Sequence, residues 1–299
     1  MTKYQLPIST AAATHDLHFG LRKDNHSRFG GETTLRGGFV SQWQRYTVKL
    51  LYGEAYQEPS ARLLYGGWQG SGSDPRLKPR HANTWEINLN YQLKEWLFST
   101  YYYQMRSRDL FNTTDTGAVN AGRANTEGGD FRVKYRPATS MLDNLTLWAS
   151  ANWLKTNDQV VNEQGQLTWQ RNGDVAQDTL HFGGYFTFND NWQVNLRGRH
   201  YGRRNTVETN PLANVPSFHT LDLNLGYQPA STPQVKYALD ITNLTDRDYF
   251  HPGVRSASAS VSNPGGINSD GVWIGSESFY NAQIPQPGRE FRLSIYWQF

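Results

Sequence analysis

Arginine, tyrosine and tryptophan recur together in the long polar stretches of this 299-residue sequence. One stretch holds Tyr56, Trp68, Arg76, Arg80 and His81, and the next holds Arg106 and Arg108. Others hold Trp169, then Arg203 and Arg204, then His251 and Trp273. Guanidinium groups pair with anions through a rigid fork of donors, and aromatic faces stack on flat or cationic surfaces. Such a set suits the capture of an anionic ligand shared among several loops. The competing readings are ordinary exposed loop residues, or contacts to the phosphates of lipopolysaccharide.

Other chemistries are poorly served. The 8 histidines lack metal-ligand spacing, and His15 and His18, three apart on a strand, face opposite sides. There is no cysteine, which removes disulfides, thiolate metal sites and thiol catalysis. No nucleophile elbow, phosphate-binding loop or paired-carboxylate signature is present, so neither enzyme activity nor a resident cofactor or metal is expected. The net charge of +3, from basic residues spread singly, is too small to imply nucleic acid as a partner.

What positions these residues is a series of strands. The segment from Gly288 to Phe299 sets Phe291, Leu293, Ile295, Trp297 and Phe299 against Glu290, Arg292, Ser294, Tyr296 and Gln298. A period of two with one apolar and one charged face is an extended strand between a greasy and a wet environment. About twelve such strands can be read. They lie near Ala13–Arg22, Glu32–Ser41, Arg45–Gly53, Asn83–Gln92, Trp96–Arg106 and Asp130–Arg136. The rest are near Asn144–Trp153, Leu180–Phe188, Trp192–Tyr201, Phe218–Tyr227, Val235–Thr242 and Gly288–Phe299. Short connections alternate with long ones, the long ones being roughly Glu54–Ala82, Ser107–Gly129, Leu154–Asp178, Gly202–Ser217 and Asn243–Pro287.

Hydrophobic residues make up only 37% of the chain, yet aromatic residues make up 14%. That balance suits a barrel with aromatic girdles at two membrane interfaces better than a soluble core. No run of about 18 apolar residues occurs, so a membrane helix is not expected. The first residues lack the apolar region of a signal peptide. The fold class read from the sequence is therefore all-β, an antiparallel transmembrane β-barrel with short periplasmic turns and long extracellular loops, in place of a soluble sandwich or propeller.

Five stretches, in order, resemble the C-terminal portion of TonB-dependent outer-membrane receptors. Gly20-Leu21-Arg22-Lys23-Asp24 is similar to the family's Gly-Leu-Arg-x-Asp segment. Tyr56-Gln57-Glu58-Pro59-Ser60 is similar to its Phe-Arg-x-Pro-Ser box, and Asp74-Pro75-Arg76-Leu77-Lys78-Pro79-Arg80 to its Asn-Pro-x-Leu-Lys-Pro-Glu box. Asn243-Leu244-Thr245-Asp246-Arg247-Asp248-Tyr249 resembles the Asn-Leu-Thr-Asp-x-x-Tyr segment, and Pro287-Gly288-Arg289 with the strand after it resembles the family's terminus. Gln57-Glu58, Asp74 and Arg80 depart from the boxes as the haem-uptake subgroup has them.

The resemblance implies a Gram-negative outer-membrane location. It implies that residues 1–299 form the C-terminal portion of a barrel, about twelve of roughly 22 strands, with the plug domain and export signal absent from the chain. The partners implied are outer-membrane lipid and lipopolysaccharide, a ferric siderophore or similar chelate, and the TonB system, reached through the missing plug. A self-contained pore or surface enzyme of about twelve strands, or a non-functional gene remnant, are the alternative expectations.

Overall fold

The structure, a computed structural model, describes residues 2–10, 12–66, 73–114, 117–138, 144–162, 164–171, 173, 175–189, 191–206, 210, 212–253, 266–267, 272–274, 279–281 and 283–298. It is almost entirely strand. The first elements are β1 (Thr2–Ser9), β2 (Ala13–His26), β3 (Gly30–Trp43), β4 (Tyr46–Gln57), the short helix α1 (Ala61–Tyr65), β5 (Arg80–Leu93) and β6 (Trp96–Arg108). There follow β7 (Phe111–Thr114), β8 (Gly117–Asn120), β9 (Arg123–Tyr135), β10 (Thr146–Val161), β11 (Leu167–Arg171), β12 (Asp178–Phe188) and β13 (Trp192–Tyr201). The chain continues through β14 (Arg204–Asn205), β15 (Asn214–Val215), β16 (Phe218–Tyr227), β17 (Val235–Thr242) and β18 (Phe250–Pro252). It finishes with β19 (Gly266–Ile267), β20 (Val272–Ile274), β21 (Phe279–Asn281), β22 (Gln283–Pro285) and β23 (Glu290–Trp297).

Hydrogen bonding orders the long strands β1-β2-β3-β4-β5-β6-β9-β10-β12-β13-β16-β17-β23 in a 14-stranded sheet, with β11 attached to β10. The remaining short strands pair among themselves within the long connections. Once those are set aside, each strand lies beside its neighbour in sequence, the pattern of an up-and-down meander. Every strand read from alternation is present. The structure adds β1, whose alternation is interrupted by Gln5 and Pro7, and it extends β4, β6, β9 and β10 beyond the apolar stretches that mark them in the sequence. The long connections are not structureless: they contain α1 and the hairpins β7–β8, β14–β15, β18–β22 and β19–β20–β21. Phe299 lies outside the described residues.

The chain divides into two compact units. The first comprises Met1–Gln92, Ser99–Asp130 and Leu154–Asn172. Here β4 and β5 pair Tyr46 with Tyr91, Val48 with Leu89, Leu50 with Ile87 and Tyr52 with Trp85 on one face. The other face pairs Thr47 with Asn90 and Lys49 with Asn88. The apolar face is not covered: Trp85 is 61% exposed and Ile87 45%. At its short-turn end Trp43, Tyr46 and Tyr91 stack with ring centroids 5.1 and 4.5 Å apart. At the other end Tyr52 and Trp85 meet at 4.4 Å. Tyr46 and Tyr52 are separated by about 20 Å along the strand at the rise of an extended chain, so the two aromatic groups bracket an exposed apolar row, the pattern of a membrane-facing strand. Turn geometry agrees, since Gln44 and Lys94 take positive φ values of 48° and 46° in the tight turns β3–β4 and β5–β6.

The second unit comprises Leu93–Phe98, Phe131–Trp153 and Gly173–Phe299. Its last strands repeat the division. Leu239 pairs with Leu293, Tyr237 with Ile295 and Val235 with Trp297, while Asp240 pairs with Arg292 on the opposite face. Leu293 is 73% exposed. The polar face carries its own ladder: Asn224 donates to Asp240 at 2.7 Å, Lys236 donates to Gln193 at 2.8 Å, and Arg199 pairs with Asp222 at 3.2 Å. A stacked aromatic girdle recurs at the turn end in Trp96–Tyr135 at 4.3 Å and Trp192–Tyr227 at 4.4 Å. Two glycines of this unit are seats for rings. Phe182, opposite Gly198, and Trp148, opposite Gly183, lie where a Cβ would stand.

Candidate functional site

Buried apolar side chains are few among the described residues, and in the first unit they lie in the connections rather than on the sheet. Leu64, Leu77 and Ala118 form a small core flanked by Phe29 and Leu63. The two loop boxes of the sequence build it. Ser60 caps α1, its hydroxyl accepting from the Leu63 amide at 3.4 Å, and Gly66 ends the helix at φ 89°. One turn of helix thus sets Leu64 inward. In the second box the Asp74 carboxylate accepts from the Arg76 amide at 2.7 Å, which bends the chain so that Leu77 reaches the same core. Lys78 and Asn120 then exchange hydrogen bonds, the Lys78 amide to Asn120 Oδ1 at 2.7 Å and Asn120 Nδ2 to the Lys78 carbonyl at 2.8 Å. These bonds join the β4–β5 connection to the β7–β8 hairpin.

A cavity of about 580 Å³ is lined by this platform. Arg28, Arg76 and Lys78 supply its positive charge, and Glu32 and Asp109 its negative charge. The Arg76 guanidinium is held to Asp74 at 2.8 Å yet stays 88% exposed. That pairing keeps the Asp74 carboxyl below, and Arg76 above, their ordinary pKa values. Arg28, in the β2–β3 turn, donates to the Tyr65 hydroxyl and to the Pro75 carbonyl, and it lies 5.0 Å from the centre of the Tyr65 ring. Sequence reasoning missed Arg28, because a single arginine in a three-residue turn has no pattern around it. Arg80 donates to Gln57 Oε1 at 2.8 Å and lies over the Phe111 ring at 5.5 Å.

A second cavity of the first unit, about 730 Å³, is formed by the strand ends beyond the upper aromatic group. Arg106, Arg108, Arg123, Lys155, His81 and Trp169 are among its lining residues. Its carboxylates are engaged. His81 Nε2 contacts Glu32 at 3.0 Å, Lys155 pairs with Glu127 at 3.3 Å, and Glu54 accepts from Tyr52 at 2.7 Å and from the Leu35 amide at 3.0 Å. The Glu54–Leu35 bond marks where β4 parts from β3, whose register ends at Arg36–Gly53. Above that point Tyr56 leans across to Asp24, which also holds Arg22 at 2.7 Å.

In the second unit Arg204 is 3% exposed and His251 part-buried. Arg204 contacts His251 Nδ1 at 2.5 Å, donates to the Phe250 carbonyl at 2.6 Å, and lies over the Phe218 ring at 5.0 Å. Accepting from a guanidinium requires an unprotonated Nδ1. Burial first, then the Arg204 charge, hold the His251 pKa below its ordinary value. The nearby Asn243 latch explains another box. Asn243, 3% exposed at φ 49°, receives the Arg247 amide on Oδ1 at 2.9 Å and donates from Nδ2 to the Arg247 carbonyl at 2.9 Å. Asp246 accepts from the Arg289 amide at 2.8 Å. The Asn-Leu-Thr-Asp and Pro-Gly-Arg stretches are thus the two feet of one long connection, pinned together.

Of the residues singled out by sequence, the structure brings Arg76 and His81 to the first cavity and His81, Arg106, Arg108 and Trp169 to the second. Tyr56 and Arg80 brace the strand ends, and Arg204 and His251 join in a buried corner beside exposed Arg203. Trp273 falls in β20, opposite Tyr280 of β21, and Trp68 lies outside the described residues.

The family model described as "TonB dependent receptor-like, beta-barrel" matches residues 4–244. No curated protein matches the chain by sequence. Among solved structures, the FrpB iron transporter from Neisseria meningitidis superposes with a TM-score of 0.65 at 17% identity, over 99% of this chain and 44% of its own. The ferric enterobactin receptor PfeA from Pseudomonas aeruginosa, solved in complex with enterobactin, gives 0.71 at 14% identity, over 99% and 45%. The copper transporter OprC gives 0.64 at 16% identity, over 97% and 46%. The chain therefore spans less than half the length of these neighbours. With exposed apolar rows between aromatic girdles, pinned loop boxes and a family match over most of its length, this chain belongs to the TonB-dependent receptor β-barrel family.

Proposed function

We propose that this chain forms wall and extracellular loops of an outer-membrane receptor that takes up a ferric siderophore or a similar anionic metal chelate. On this reading residues 1–299 are the C-terminal portion of the barrel, and a plug domain contributed by the rest of the receptor couples it to TonB. The observation that carries it is the cationic loop platform, where Arg28, Arg76 and Lys78 line one cavity over a small core. Arg and Lys on a fixed base suit an anion better than the same residues on a loose loop, because less ordering entropy is lost on binding. Family membership and the likeness to transporters of iron, ferric enterobactin and copper support the same class of cargo. Partners on this reading are outer-membrane lipid and lipopolysaccharide, the chelate, and the TonB system.

The test uses the full-length receptor in detergent, titrated with ferric catecholate and ferric hydroxamate siderophores. Tight binding of one class is expected, weakened about tenfold or more by R76A/K78A, since two charge-assisted contacts contribute about 1.5–3 kcal/mol each. Binding of neither class, or no change in the double variant, would overturn the assignment.

A further inference from the structure

Three long connections of the second unit meet at Arg204. Its backbone bridges Ala176, in the connection before β12, and pairs with Val215 across the β14–β15 hairpin. Its side chain crosses to β18, in the longest connection, and meets His251 Nδ1 and the Phe250 carbonyl there. β15 lies against the same strand, with Val215 fully buried. The Phe218 ring closes the corner, 5.0 Å from the guanidinium, 4.5 Å from the Tyr249 ring and edge-on to His251 at 5.7 Å.

The longest connection is held in two different ways. Its feet are tied by groups that keep their charge as histidine titrates. Asn243 binds Arg247, the Gln286 amide donates to the Tyr249 carbonyl at 3.0 Å, and Asp246 accepts from the Arg289 amide. The stalk above them is thin. β18 and β22 pair over three residues each, and Pro252 and Pro285 have no N–H to give. What fastens this stalk to the β14–β15 hairpin is the contact of Arg204 with His251 and Phe250.

A proton changes that contact. A guanidinium keeps its charge and can only donate, whereas imidazole accepts on one nitrogen when neutral and on none when protonated. At 2.5 Å the Arg204–His251 hydrogen bond therefore becomes a meeting of two donors of like charge. The charges that act on His251 are Arg204 and Arg199, both cationic, and Arg199 is itself held to Asp222 at 3.2 Å. The other groups against it are the Phe218 and Tyr249 rings and, across the β18–β22 ladder, apolar Ile284. Burial and the two cations all oppose the proton, in keeping with the lowered His251 pKa.

We infer that the Arg204–His251 contact is an acid-released clasp between two long connections. With His251 neutral, the clasp ties the β18–β22 stalk to the β14–β15 hairpin. When His251 takes a proton, the stalk parts from the hairpin while Asn243 and Asp246 keep its feet on the sheet. Any part of this movement in ligand uptake rests on the function proposed above, but the clasp itself does not.

The test is hydrogen exchange of the full-length receptor in detergent, without chelate, corrected for the intrinsic rate at each pH. A closed corner that refuses the proton, and an open one with the ordinary histidine value of 6.5, set a ceiling of about thirtyfold on the gain in opening between pH 7.5 and pH 5. Native protein is expected to show a five- to thirtyfold gain in peptides covering Tyr249–Pro252 and Gln283–Gln286, and less than twofold in those covering β16 and β17. H251Q keeps an acceptor but cannot charge, so its stalk should respond less than twofold, whereas H200Q should respond as native protein does. A native stalk that changes less than twofold would overturn the proposal, and this arm decides it even if H251Q fails to fold. An equal gain in H251Q, or an equal gain in β16 and β17, would overturn it as well.

Discussion

Asn243 shows how much one side chain can fix in this molecule. It sits at positive φ and commits its side-chain amide to both the N–H and the carbonyl of Arg247, across the turn that opens the longest connection. Asn243→Ala removes both hydrogen bonds to the exposed Arg247 backbone, at a cost of about 0.5–1.5 kcal/mol each. Thermal unfolding should show the loss, and an unchanged midpoint would mean the latch is ornamental. Gly198 is fixed by a neighbour instead of by its own backbone. A Cβ there collides with the Phe182 ring, so Gly198→Ala should destabilise the folded receptor by about 1–3 kcal/mol, the usual range for overpacking. His251 gives a pH dependence. Its folded-state pKa is lowered, so as pH falls the unfolded chain takes up the proton first and stability falls with it. The window begins near the ordinary histidine value of 6.5 and runs below it. Unfolding measured at pH 7.5 and at pH 5 should separate native protein from His251→Gln, which keeps an acceptor but cannot charge. Identical pH slopes would remove His251 from the account.

Strands were legible wherever lipid demanded alternation. Trp85, Ile87 and Leu89 against Glu86 and Asn88 needed no structure to place, because a lipid-facing row must be apolar at every second residue. The same logic explains the shortfall. β9 begins at Arg123, yet the sequence marks it only from Asp130, because Arg123 to Gly129 lies beyond the apolar band and both faces there are polar. Arg108 and Arg123 therefore read as loop residues when they are strand residues, and Arg106 ends the strand that the sequence marks. The hairpins inside the connections were hidden for a related reason: β7 and β8 bury little beyond Ala118. The boxes at Ser60 and Asp74 pointed to a family without revealing that they build one core. That core is testable as an element. Leu77→Ala should cost about 2–5 kcal/mol locally, as for other large-to-small core changes. It should raise the protease sensitivity of the β4–β5 connection while leaving the heat-resistant sheet intact. Equal sensitivity in the native protein would show that the platform is not held by Leu77.

At the scale of the molecule, the apolar surface is on the outside, and everything else follows from that inversion. Leu293, Phe291 and Trp297 are each at least 66% exposed, which in water would be an aggregation hazard and in a bilayer is the stable arrangement. The polar ladder of Asn224, Asp240 and Arg292 on the opposite face then meets water, and the loop platform is carried at the long-connection end. The most direct measurement is spin-label accessibility along β23. The chain has no cysteine, so single cysteines can be placed at positions 290 to 297 of the full receptor in lipid vesicles. The account predicts a period of two, with labels at Phe291, Leu293, Ile295 and Trp297 open to oxygen and shielded from a water-soluble nickel complex, and the reverse at Glu290, Arg292 and Ser294. Accessibility without that period, or nickel contact at Leu293 and Ile295, would contradict it.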